Sequence, residues 1–220
     1  MKLFFIPIFI IASLAHLYAC LVQFRFLRIL TKPLLLPLLA AIYMFYAHTP
    51  QPLVLAAMLL GCVGDIFLIF PGKSTCFMLG AISFALGHIC YILALYASAP
   101  LSSVGPAFML AYGALIAIPY IIVLTLVFFK LIPHLPADKK PLTPLYIGLI
   151  CILSIGAVLG FIKTWQSWLI PILVGTLLFI TSDCVLCFEV FHSTSKRGNF
   201  WVMSTYICAQ SLLALGFILL

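Results

Sequence analysis

The stretch WLIPILVGTLLFITSDCVLCFEV, Trp168 to Val190, is a nearly unbroken apolar run with a carboxylate, Asp183, in its interior. About 20 apolar residues carry a helix across the hydrocarbon core of a bilayer. The stretch therefore reads as a membrane helix holding a costly charge, and an ionisable group at that depth marks a functional site by default. A second run, residues 52–70, repeats the arrangement around Asp65. Gly64-Asp65-Ile66-Phe67-Leu68 and Ser182-Asp183-Cys184-Val185-Leu186 both give a small residue, then Asp, then an apolar residue three positions on. Only four acidic residues occur in the whole chain, so two in such matched surroundings are informative.

Working outward, further apolar runs fall at 3–22, 33–47, 76–98, 105–130, 143–162 and 200–219. With 66% hydrophobic and 7% charged residues, the chain lacks the polar surface that a soluble globule of this size requires. The fold class is therefore all-α: a polytopic membrane helix bundle of eight transmembrane helices, forming a single integral membrane domain over residues 1–220. Pro119 predicts a kink or break in the fifth helix.

The cations set the orientation. Arg25, Arg28, Lys32, Lys73, Lys130, Lys139, Lys140, Lys196 and Arg197 fall on one side, and only Lys2 and Lys163 on the other. Because Lys and Arg accumulate in cytoplasmic loops, both termini are expected on the non-cytoplasmic face. The net charge of +7 is thereby a topology signal and implies no nucleic-acid partner. Trp165, Trp168 and Trp201 sit at helix ends and are expected as interface anchors. The Lys2-led start with Leu17-Tyr18-Ala19-Cys20 resembles a signal peptide. Cleavage is rejected, because Tyr18 is atypical there and removing the first helix would spoil the charge asymmetry. A compact chain with almost no tails fits a bacterial inner membrane better than an endoplasmic-reticulum membrane. Cys184-x-x-Cys187 has metal-ligand spacing but no second pair to complete a site. No metal or cofactor is expected.

The charge pattern makes the third and seventh helices parallel. Asp65 lies about 7 to 8 Å below the cytoplasmic boundary at 1.5 Å per residue, and Asp183 at much the same depth. On the fourth helix Gly80, Phe84, Gly87, His88 and Tyr91 share one face, and small residues on it allow close helix approach. The eighth helix presents Tyr206 and Gln210 one turn apart. His88 follows Asp65 by 23 residues, as Tyr206 follows Asp183. This hints at a parallel repeat of the third and fourth helices in the seventh and eighth, although one spacing does not establish one. Lys32 precedes Pro33 at an expected helix start, where it, with Arg28, can meet a lipid phosphate; otherwise Lys32 simply sets topology. Glu189 lies near the cytoplasmic end, reaches water and carries little signal. Taken alone, His88 and Gln210 read as packing partners, and a single Asp can serve as glue between helices. Paired aspartates also fit a small proton-coupled transporter, so the residues by themselves leave enzyme and carrier level.

One ordered set of motifs separates them. Lys32-Pro33-Leu34, Gly64-Asp65-x-x-Leu68, Gly80-x-x-x-Phe84-x-x-Gly87-His88-x-x-Tyr91, Tyr146, Phe179-x-x-Ser182-Asp183-x-x-Leu186 and Tyr206-x-x-x-Gln210 occur in that order. The set resembles the YhhN-type lysoplasmalogenase family of eight-helix membrane proteins, from about Lys32 to the C-terminal helix. One departure is Ile147-Gly148-Leu149-Ile150-Cys151, where a Met of the family pattern is missing; it bears on acyl-chain fit more than on chemistry. The resemblance implies hydrolysis of the sn-1 vinyl ether bond of a lysoplasmalogen, a lysophospholipid substrate within the bilayer. The products would be a fatty aldehyde and glycerophosphoethanolamine or glycerophosphocholine. It implies Asp65 and Asp183 as the catalytic residues. Lys32, His88, Tyr91, Tyr146, Ser182, Tyr206 and Gln210 are then expected to bind substrate or water. Vinyl ether cleavage needs a proton donor to carbon and a carboxylate that steadies the resulting cation and activates water. Two carboxyl groups can divide that work as they do in glycosidases.

Overall fold

In the computed structural model the chain is described over residues 2–70, 74–98, 104–135 and 142–220. Among the described residues it forms eight α-helices: α1 Lys2–Leu21, α2 Arg25–Tyr46, α3 Pro52–Phe67, α4 Ser74–Ala97, α5 Pro106–Leu131, α6 Leu142–Thr164, α7 Leu169–Phe191 and α8 Gly198–Leu219. A single 3-10 turn, Ile132–His134, follows α5. Seven helices are long and apolar enough to cross a membrane, and α3 is a shorter apolar helix. No strand occurs among the described residues. Lys73, Lys139 and Lys140, used above for orientation, lie outside them.

Two helices depart from expectation, and both departures shape the site. The second helix begins at Arg25, not at residue 33, and continues through Pro33 and Pro37. Arg25, Arg28 and Lys32 are therefore on the helix and not in a loop before it. Proline is tolerated inside a membrane helix where neighbours re-satisfy the freed backbone groups. Here the Cys62 thiol of α3 donates to the Pro33 carbonyl at 3.4 Å. The third helix ends at Phe67, so Asp65 lies within its last turn. Pro119 produces no break, since α5 runs unbroken from Pro106 to Leu131.

The most extensive helix pairings are α7 with α8 and α3 with α4. Both depend on glycines at close approach, because dispersion between backbones drives association in lipid. A Cβ at Gly87 would lie 3.1 Å from the Ala57 carbonyl oxygen, and one at Gly64 would lie 2.7 Å from the Phe84 ring. Across the other pair, a Cβ at Gly175 would lie 2.9 Å from the Ala209 carbonyl oxygen and one at Gly216 3.0 Å from the Trp168 carbonyl oxygen. Trp168 is consequently buried under α8 and is no interface anchor, whereas Trp165 and Trp201 are exposed as expected. All eight cysteines are free. Helix α5 lies at the periphery, with Leu110, Leu126 and Phe129 exposed.

Candidate active site

The end of the bundle where α3 and α7 finish and α2, α6 and α8 begin encloses a cavity of about 920 Å³. That is the upper part of the range for small-molecule sites. Asp65 and Asp183 both line it, and both are buried.

Each carboxyl group is held differently. Asp65 Oδ2 accepts a hydrogen bond from the Tyr206 hydroxyl of α8 at 2.8 Å. Its other oxygen, Oδ1, lies 3.4 Å from the Lys32 ammonium of α2. Lys32 reaches this position because α2 starts two turns earlier than its apolar run. Asp183 Oδ2 accepts from the Tyr146 hydroxyl of α6 at 2.6 Å. The Lys32–Asp65 contact is the one ion pair among the described residues, so Asp183 has a neutral donor and no cation.

The tyrosines stand on one aromatic floor. The Tyr206 ring meets Phe84 at 5.9 Å and Phe179 at 5.4 Å, both edge-on. His88 meets Phe179 at 4.7 Å and Tyr146 at 5.7 Å, again edge-on. Edge-to-face contacts at these separations are favourable and fix ring orientation, so the two hydroxyls that grip the carboxyl groups are positioned by one continuous cluster.

Of the residues expected at the site, Lys32, Asp65, Tyr146, Ser182, Asp183 and Tyr206 line the cavity. Ser182 donates its hydroxyl to the Val202 carbonyl at 3.0 Å, which ties α7 to α8. His88, Tyr91 and Gln210 do not line it. The Tyr91 hydroxyl donates to Gln210 Oε1 at 3.1 Å, and a Cβ at Gly61 would touch both Gln210 and Phe84. His88 donates from Nδ1 to the Phe84 carbonyl at 2.7 Å. These three brace the floor from behind, and the helical spacing of His88 with Tyr91 on α4, and of Tyr206 with Gln210 on α8, does not tell which side of Phe84 and Phe179 they occupy.

Several lining residues went unread in the sequence. His16 of α1 lines the cavity and is buried. Thr31 gives its only hydroxyl proton to the Leu27 carbonyl at 2.6 Å, so it accepts from His16 Nδ1 at 2.8 Å. That leaves His16 Nε2 as the acceptor facing the Cys20 thiol at 3.6 Å. The signal was there in principle, since Ser13, His16 and Cys20 recur at helical spacing within an apolar run. Arg25, Glu189 and Asn199 also line the cavity, beside Arg28, which the sequence already places with Lys32 as a phosphate contact.

A family model described as the YhhN family matches residues 27–217 of the chain. The chain belongs to the YhhN family. Among curated relatives it is similar to lysoplasmalogenase TMEM86B of Sus scrofa, 31% identical over 161 residues, which covers 73% of this chain and 61% of that protein. It is also similar to lysoplasmalogenase TMEM86A of Bos taurus, 27% identical over 172 residues, covering 77% of this chain and 66% of that protein. The chain thus spans under two thirds of the length of these relatives. No solved structure matches it significantly. Both relatives are from eukaryotes, so they lend no support to the expectation of a bacterial inner membrane. The chain is a multi-pass membrane protein of this family.

Proposed function

We propose that this protein is a lysoplasmalogenase, hydrolysing the sn-1 vinyl ether of a single-chain phospholipid to a fatty aldehyde and a glycerophosphoalcohol. The observation that carries the reading is one cavity lined by two buried carboxyl groups, in a member of a family whose named relatives are lysoplasmalogenases.

The unequal surroundings of the two groups suggest their roles. A buried charge is tolerated when it is paired and hydrogen-bonded. Asp65, with an ammonium on one oxygen and a hydroxyl on the other, is suited to remain the carboxylate. Asp183, with only the Tyr146 hydroxyl, is suited to hold a proton. In the proposed reaction Asp183 protonates the outer vinyl carbon and leaves an oxocarbenium ion. Asp65 steadies that cation and takes a proton from the attacking water, giving a hemiacetal. The hemiacetal collapses to the aldehyde as the glycerol oxygen leaves with a proton. General acid–base participation of this kind contributes about 10²- to 10⁴-fold each.

The bundle end that carries the cavity also carries Arg25, Arg28, Lys32, Lys196 and Arg197, which favours its facing the cytoplasm with both termini opposite. The lipid tail would lie among the apolar lining residues Leu68, Phe77, Leu186 and Met203. The test is aldehyde release from 1-alkenyl-glycerophosphoethanolamine by the full chain purified in detergent. A folded preparation that releases none would end this reading. A carrier that uses the aspartates as a proton relay would instead accumulate substrate in sealed vesicles and depend on a gradient.

A further inference from the structure

From the sequence alone Glu189 is a water-reaching residue near a helix end that carries little signal. It lines the cavity, and its Oε2 accepts the Ser195 N–H at 2.8 Å. A Cβ at Gly198 would fall 1.8 Å from its carboxyl carbon, so the carboxylate lies flat on the start of α8. Arg25 and Arg28 line the same cavity. Neither arginine is ion-paired with Glu189, because the one ion pair among the described residues is Lys32–Asp65. Two guanidinium groups and a carboxylate therefore share a cavity without neutralising one another. That pattern suits a ligand bearing both an anion and a cation, since each protein charge then has its partner on the ligand.

The spacing along the helices sets the charges in the order in which such a ligand presents them. Arg28 precedes Lys32 by one turn of α2, about 6 Å nearer the rim at 1.5 Å per residue. Glu189 follows Asp183 by six residues of α7, about 9 Å nearer the rim. In a glycerophospholipid the phosphorus lies five bonds from the sn-1 ether oxygen, and the head-group nitrogen four bonds further. With covalent bonds of about 1.5 Å at bent angles, these are about 6 Å and 11 Å in extended form.

We infer that Glu189 reads the cationic end of a zwitterionic head group whose phosphate is held by Arg25 and Arg28. This rests on the lysolipid reading of the cavity and makes Glu189 a specificity residue for it. Ionic contact of this kind is what separates an ethanolamine lipid from the same lipid ending at phosphate.

The experiment compares 1-alkenyl-glycerophosphoethanolamine with 1-alkenyl-glycerophosphate on the full chain in detergent, for wild type and Glu189→Gln. Gln keeps an acceptor for the Ser195 N–H while removing the charge. Wild type should favour the amine-bearing lipid by about tenfold in KM, as a charge-assisted contact implies, and Glu189→Gln should collapse that ratio towards one. An unchanged ratio would make Glu189 a helix cap only and overturn the inference. If wild type cleaves neither lipid, the proposed reaction fails separately. The inference is then judged by binding of the uncleavable 1-alkyl analogues with and without the amine, where equal affinity overturns it. The same binding pair serves if Glu189→Gln does not fold, with the amine preference expected to shrink as salt is raised.

Discussion

Asp65 and Asp183 lie on the two most extensive helix pairs and line one cavity, yet they are held by different chemistry. Asp65 sits between a cation on α2 and a hydroxyl on α8. Asp183 has a hydroxyl on α6 and no cation. Two carboxyl groups with identical partners would compete for the same proton and the same role. Unequal partners separate them, and the lesson is that a pair of acids in one apolar cavity is differentiated by what each leans on.

The largest effects should come from the carboxyl groups themselves. Asp183→Asn is expected to lower aldehyde release by about 10²- to 10⁴-fold, and Asp65→Asn by a similar factor. Near-normal turnover in either would remove that residue from the proposed pair. Their stabilities should then diverge. Asp65→Asn leaves the Lys32 ammonium without its partner and should cost about 3 kcal/mol or more. Asp183→Asn keeps an acceptor for Tyr146 and should cost under about 1 kcal/mol. Thermal unfolding in detergent measures both, and equal losses would break the comparison.

Lys32 supplies the next test. Lys32→Met should cost activity about 10²-fold, while adding it to Asp65→Asn should cost little more, because residues acting through one another are not additive. A fully additive double mutant would give Lys32 a role apart from Asp65. Tyr146→Phe and Tyr206→Phe each remove one hydrogen bond to a carboxyl group. A tenfold loss in turnover, on the order of the 1.5 kcal/mol such bonds contribute, is expected of each. The smallest expected effect on chemistry is Gly64→Ala, whose new methyl would meet the Phe84 ring at 2.7 Å. It should lower stability by about 1 to 3 kcal/mol through overpacking and disturb turnover only as far as the aromatic floor shifts.

The eight helices were readable because apolar length alone requires them in a bilayer. The aspartates were readable because a carboxylate in such a run has few explanations. What escaped was set by tertiary contact. The start of α2 was misplaced because Arg25, Arg28 and Lys32 interrupt the apolar run, and proline counts as a breaker until a neighbour such as Cys62 is seen to serve its carbonyl. Trp168 looked like Trp165 and Trp201, and only the approach of Gly216 buries it. His88 carried the same motif strength as Tyr146, yet one lies behind Phe179 and the other in front of it. Glu189 was illegible as a cavity residue, because its position near a helix end shows only that it reaches water.

The cavity's lining comes from a single end of the bundle. A lipid seated there with its head at the rim must be drawn from the leaflet on that side alone. Molecules in the opposite leaflet would first have to cross the bilayer, so the supply of substrate in a living membrane would depend on lipid flipping as much as on the rate of the site itself.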